Sequence, residues 1–219
     1  MKNSIHRQVI AKPLRFWRQW IELGTVFSLS VAVLSAPRAN ANQNFVVSPS
    51  TDAIKFTSDA PVEVIVGHTN KISGNVTVLD DLSFDKTFTA TFKVDLASID
   101  TGIPLRNEHM RDNFLETKKF PLAVLYVSKV TGDVAAFKDG RPTKTTAEGE
   151  LTIHGVTVKR EIPVTVTMSE DGHGTRRLSI KSEFPVKLAD HNIKRPQVVF
   201  SKLADTIFVK VAAQATSAN

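Results

Sequence analysis

The 219-residue sequence predicts an all-β chain with one inserted helix, folded as an antiparallel up-and-down barrel. Three observations carry this expectation. Apolar residues recur with period two along most of the chain after about residue 53. Short turn signals, Asp80-Asp81, Asp139-Gly140, His154-Gly155 and Asp171-Gly172, separate the alternating runs as they would separate consecutive hairpins. One stretch alone, near 104–116, switches to helical spacing. The 42% apolar content supports a real core, and the 10 glycines, 10 prolines and absence of cysteine exclude collagenous, low-complexity and disulfide-stapled chains.

In chain order, residues 1–41 read as a signal peptide. Lys2, Arg7, Lys12, Arg15, Arg18 and Arg38 stand against Glu22 alone, followed by the mostly apolar run Leu23 to Leu34 and the small-residue site Ala39-Asn40-Ala41. That run is shorter than the roughly 20 residues a membrane span needs. Pro37 argues against an earlier cleavage site, and without a cysteine there is no lipid attachment to hold the mature end. The expectation is cleavage after Ala41, release into a bacterial periplasm or to the outside, and no stable membrane anchor. Most of the +6 net charge leaves with the leader, together with Trp17 and Trp20, so no basic nucleic-acid surface survives. Residues 42–51 read as an N-terminal linker.

Strands are expected at about 53–58, 61–67 and 71–79. In the next, Phe88, Ala90, Phe92, Val94 and Leu96 alternate with Thr87, Thr89, Thr91, Lys93 and Asp95, as a half-buried strand requires. Further strands are expected at 121–131, 144–153 and 205–215. Val156, Val158, Ile162, Val164, Val166 and Met168 repeat the alternation, and so do Leu178, Ile180, Phe184, Val186 and Leu188. Between the fourth and fifth, Pro104 suits a first helical turn, and Leu105, His109, Met110 and Phe114 fall at helical spacing before Pro121 ends the segment. Many meandering strands must close or cover their edges, and closure into a barrel removes them. The stretch Leu122 to Val127 is apolar on both faces, as is the region of Val62, Val64, Ile65 and Val66, so an outer face there meets the helix, a partner or a lipid.

The stretch VDLASIDTGIPLRNEHMRDNFLETKKFP, then GELTIHGVTVKREIPVTV, VKLADHNIKRP and the closing DTIFVKVAAQA, resembles the YceI-like family of exported, lipocalin-like proteins. The resemblance covers residues 52 to 216, and its most specific parts are Asp95 to Gly102, the Arg106 to Phe114 helix, Phe120-Pro121 and Leu151 to Thr157. It implies a barrel of about eight strands whose interior holds one long apolar ligand. By the same resemblance that ligand is a polyisoprenoid: an isoprenoid quinone, its precursor or a related prenyl lipid, with fatty amides as substitutes. Two positions depart from the pattern. Phe114-Leu115 stands where many relatives have a double phenylalanine, and Asp190-His191-Asn192-Ile193 where they have Asp-Phe-Gly-Ile.

A site of this kind needs a dry lumen and a few polar groups at one mouth. At a ceiling of roughly 0.3 kcal/mol per heavy atom, a prenyl chain of about forty carbons gains at most about 12 kcal/mol, compatible with tight but reversible carriage. The alternation nominates Phe88, Phe92, Val124, Tyr126, Val164, Ile180 and Phe184 as lining residues, joined by Met110 and Phe114 from the helix; an inward phenylalanine is also ordinary barrel core. For the head group, Arg106, His109 and Arg111 are the candidate donors, at most one of the two arginines pointing inward. The competing account is a solvated helix face with Glu108 and Asp112 as ion-pair partners, the preferred one for Arg111. Asp100-Thr101-Gly102 reads as turn and cap chemistry.

No catalytic constellation emerges. The histidines His68, His109, His154, His173 and His191 are dispersed without metal-ligand spacing, and neither a nucleophile elbow nor a phosphate-cradling glycine loop occurs. The expectation is a non-enzymatic carrier with no cofactor. The alternative is an exported interaction protein whose doubly apolar strand binds a partner over a lumen that is merely core. A homodimer through that face is compatible with lipid binding.

Overall fold

The computed structural model describes residues 42–51, 53–79, 88–133, 137, 140–195 and 203–218. The expected leader, residues 1–41 with both tryptophans, and the turn signal Asp80-Asp81 lie outside the described residues. Ten strands are present among the described residues: β1 (Asn42–Ser48), β2 (Ile54–Asp59), β3 (Val64–Thr69), β4 (Ile72–Leu79), β5 (Thr89–Asp95), β6 (Leu122–Gly132), β7 (Thr143–Ile153), β8 (Val156–Glu170), β9 (Arg176–Lys187) and β10 (Thr206–Ser217). All pair antiparallel in one sheet, ordered β1-β4-β5-β6-β7-β8-β9-β10, and β1 pairs back onto β10 to close the ring.

The ring has eight positions because the first hairpin is broken in both arms. β1 and β2 lie end to end along β10, Val47 opposite Ala215 and Phe56 opposite Val209. β3 and β4 follow them as the return arm, paired with β2 and β1 respectively. Pro49, which has no N–H to give a ladder, begins the break in the first arm. There Ser50 Oγ donates to the Ala212 carbonyl at 3.1 Å, and the Ala212 N–H donates to Ala53 at 2.8 Å. In the second arm Thr69 Oγ1 accepts from the Lys71 N–H at 3.0 Å and lies 2.6 Å from Ser98 Oγ.

The expected linker at 42–51 is therefore corrected: Asn42–Ser48 is a barrel strand, with Phe45 and Val47 buried and Asn44 and Val46 facing out. Its alternation spans too few residues, beside too many asparagines, to stand out in the sequence. The other expected strands appear within a few residues of their anticipated limits. The inserted helix also appears, as an α-helix α1 (Pro104–His109) with Pro104 in its first turn, continued by a π-helical turn, Met110–Phe114. Leu115 N–H donates to the Met110 carbonyl five residues back at 2.9 Å, the bond that defines the wider turn. No helix among the described residues is long and apolar enough to cross a membrane.

The two ends of the barrel differ. At the end away from the helix, Phe45, Val47, Val78, Phe137, Leu178, Ala213 and Ala215 are buried in one cluster. At the other end α1 and the short helical turn Leu188–His191 lie over the strand ends, above a second cluster of Leu151, Ile162, Phe184 and Val186. β6 carries a bulge between Val127 and Lys129, opposite Gly149. A Cβ on Gly149 would stand 2.1 Å from the Tyr126 carbonyl oxygen, so the close strand approach at the bulge requires glycine.

Candidate ligand lumen

Between the two clusters the barrel encloses a cavity of about 570 Å³, within the roughly 300–1,000 Å³ range of small-molecule sites. Its wall is almost wholly apolar because each strand turns its alternating aliphatic and aromatic residues inward. Two polar residues on the strand walls line it, and both have spent their donors. Thr145 Oγ1 donates to the Val164 carbonyl at 3.1 Å, and Ser182 Oγ donates to the Pro163 carbonyl at 2.7 Å. Ile103 and Leu105 both line the cavity and are exposed, 48% and 61%, which locates its mouth beside the N-terminus of α1.

The remaining polar lining groups, Glu63, Thr101, Arg106 and His109, gather at that mouth. Arg106 is held in three directions. Nε donates to Thr101 Oγ1 at 2.9 Å, one terminal nitrogen donates to the Thr101 carbonyl at 2.9 Å, and the other donates to Glu63 Oε1 at 2.5 Å. Thr101 is itself fixed by Asn107 Oδ1, which accepts from its N–H at 2.9 Å and its hydroxyl at 2.7 Å. Asp100 Oδ1 accepts from the Gly102 N–H at 2.8 Å and the Asn107 amide at 2.7 Å. These bonds, the Gly102 N–H first, hold the Asp100 carboxyl below its ordinary pKa. Asp100-Thr101-Gly102 is thus turn and cap chemistry that also orients the arginine.

Of the residues nominated from the sequence, Phe88, Phe92, Arg106, Met110, Phe114, Val164, Ile180 and Phe184 line the cavity, as does His109. Val124 and Tyr126 do not, and their inward assignment is corrected. Pairing of Phe92 with Leu125 and Val94 with Ala123 sends the odd residues of β6 inward. Ala123, Leu125 and Val127 line the lumen, while Tyr126 is 43% exposed. Because both faces of β6 are apolar, only its register against β5 could choose between them. The bulge then shifts the alternation: Ser128 and Lys129 are both exposed, and Val130 faces in.

Arg111 borders a shallow polar cleft with Asp100 and Asn107 outside the lumen, in keeping with a solvated face. The expected ion-pair partners are corrected as well: Arg106 pairs with Glu63, and Asp112 lies 3.6 Å from Lys118. Glu63 carries no sequence signal as a site residue. It sits in the turn between β2 and β3, 43 positions before the arginine it meets.

Around the same end, His154-Gly155 forms the β7–β8 turn with φ of 52° and 74°, the left-handed pair a two-residue hairpin favours. His154 Nε2 lies 2.6 Å from Glu116 Oε2 and Nδ1 lies 3.2 Å from the His191 carbonyl. Phe120 packs edge-on against the His154 ring, centroids 4.6 Å apart, and a Cβ on Gly155 would stand 2.5 Å from the Phe120 ring. The turn therefore fastens the exit of the helix to the barrel. His191 is fully buried, with Nδ1 3.0 Å from the Val156 carbonyl and Nε2 without a partner. Among the described residues no group of three or more His, Cys, Asp or Glu side chains is placed to hold a metal ion.

The family model described as the YceI-like domain matches residues 45–215. The protein YceI of Escherichia coli O157:H7 and that of Shigella flexneri are each 33% identical over 127 residues, covering 51% of this chain and 60% of theirs. The chain thus matches less than two thirds of the length of these curated relatives. Burkholderia cenocepacia BcnA is similar in structure, with a TM-score of 0.56 and 20% identity over 80% of this chain and 96% of that one. A polyisoprenoid binding domain from Saccharophagus degradans, implicated in plant cell wall breakdown, gives a TM-score of 0.57 at 20% identity over 82% of this chain and all of that one. At such identities the likeness establishes the barrel alone.

Proposed function

The chain belongs to the YceI-like domain family, and from that premise and the shape of its lumen we propose that it is a non-catalytic carrier of a long apolar lipid. The observation that carries this reading is the cavity of about 570 Å³, apolar along its length with polar side chains gathered at one mouth. Such a space excludes water from a prenyl tail and leaves one polar end of the ligand near α1. The polyisoprenoid binding of the Saccharophagus domain supports a prenyl ligand of the quinone, quinone-precursor or prenol type. Phe88, Phe92, Leu125, Val164, Ile180 and Phe184 contact the tail in this reading, Met110 and Phe114 close over it, and Arg106 meets its polar end. The charged, short-cored leader supports a periplasmic location, where a carrier would move lipid between membranes.

Protein purified from the periplasm without detergent, then extracted and analysed by mass spectrometry, should yield an apolar lipid near one per chain. A folded protein that is repeatedly lipid-free overturns the carrier reading. The interaction reading is weaker at β6, because its outward residues stand in polar rows: Tyr126 between Thr91 and Glu150, Val124 between Lys93 and Thr152. A homodimer finds more support at β3, where Val64 and Val66 are 58% and 42% exposed.

A further inference from the structure

The polar cluster at the mouth points to the charge of the ligand's head. Arg106 is the one permanently cationic residue lining the cavity among the described residues, and its charge is already met by Glu63 at 2.5 Å. Three of the five guanidinium N–H groups are committed, two to Thr101 and one to Glu63, which leaves two for a ligand. Glu63 lines the same cavity, so any group within reach of Arg106 also meets a carboxylate. A prenyl phosphate or diphosphate would bring two or more negative charges to a mouth with no uncompensated permanent cation, and would lose hydration without a matching ion pair. An uncharged acceptor loses little hydration and can use the two free N–H groups directly.

We infer that Glu63 is a specificity-determining residue which makes this lumen selective for prenyl lipids with an uncharged hydrogen-bond-accepting head, a quinone carbonyl or a hydroxyl, and against prenyl phosphates. This rests on the carrier reading and deepens it. The selectivity is achieved by repulsion as much as by attraction: without the carboxylate, the same arginine would attract a phosphate. Asn107 and Thr101 contribute by holding the guanidinium in a fixed plane, so that Arg106 is not free to leave Glu63 for an incoming anion.

The test uses two probes with one tail, geranylgeraniol and geranylgeranyl diphosphate, offered separately and in competition to delipidated protein and read by native mass spectrometry. Retention of the alcohol should exceed that of the diphosphate by about tenfold. Glu63→Gln keeps an acceptor for Arg106 and should raise the ratio of diphosphate to alcohol retained severalfold. Arg106→Gln should lower diphosphate retention further, because the lone carboxylate remains. Wild-type protein that holds the diphosphate as well as the alcohol overturns the inference, and so does an unchanged ratio in folded Glu63→Gln. Folded wild-type protein that retains neither probe overturns the carrier reading itself, an outcome distinct from a failure of selectivity.

Discussion

The two ends of this barrel are built from the same alternation and do opposite things. At the end away from the helix, Val78, Phe137 and Leu178 form the floor of the cavity, and beyond it Phe45, Val47, Ala213 and Ala215 are buried without lining it, large side chains meeting small ones. At the helix-bearing end, inward Phe92, Leu125, Ile153 and Val209 stand around empty space. Hydrophobicity does not distinguish them. What separates core from lumen is complementarity of size across the ring, together with a helix that covers the hollow end without filling it.

The largest expected effect falls on the filled end. Phe45→Ala removes a fully buried ring from close packing and should cost about 3–5 kcal/mol, read as a lower melting temperature or denaturation midpoint. Lipid bound per folded molecule should not change, because Phe45 does not line the cavity. Equal lipid loss from Phe45→Ala and from a lumen variant would erase the distinction between the two ends.

A smaller effect on stability, and a larger one on ligand, is expected in the lumen. Phe92→Trp enlarges a half-buried residue facing the cavity, and should expel the lipid or exchange it for a shorter one, at a stability cost of about 1–3 kcal/mol. Leu125→Trp should behave alike, since the two residues face each other across β5 and β6. Thr91→Trp and Tyr126→Trp, the neighbouring pair on the outer face, should leave ligand content unchanged. Lipid loss from the outer pair would show that the register of β6 against β5 is wrong.

That register marks the limit of what was legible in the sequence. β5 could be assigned face by face because Thr91 and Lys93 are polar and Phe92 is not. β6 offers no such contrast, so the alternation alone places Val124 and Tyr126 inside and passes over Leu125. The helix was visible in its spacing and in Pro104, but not the π-turn that completes it, which depends on a single shifted bond. Phe120 and His154-Gly155 stood out as motifs because a ring contact and a left-handed turn admit few substitutes. Glu63 had no local signal at all: its role arises only when the β2–β3 turn is folded against α1.

The smallest expected effect concerns His191, fully buried at the end of the short helical turn Leu188–His191 that follows β9. Burial, opposed mainly by its hydrogen bond to the Val156 carbonyl, holds its pKa below the ordinary value of 6.5, with the nearby Arg160 guanidinium acting in the same direction as burial and Asp190 against it. The folded protein thus keeps the ring neutral where the unfolded chain takes up a proton. The unfolded state binds more protons between the lowered folded value and about 6.5, so this contribution is intact above about pH 6.5 and is lost as pH falls toward the folded value. His191→Phe removes the titration and the unpartnered Nε2, but also the bond to Val156. These changes nearly cancel, so at pH 8 the variant should lie within about 1 kcal/mol of the parent. Across the acidic window the difference should shift progressively in favour of the variant, measured as melting temperature against pH. Parallel curves for the two proteins would show that His191 is not the group responsible for the acid sensitivity of this end.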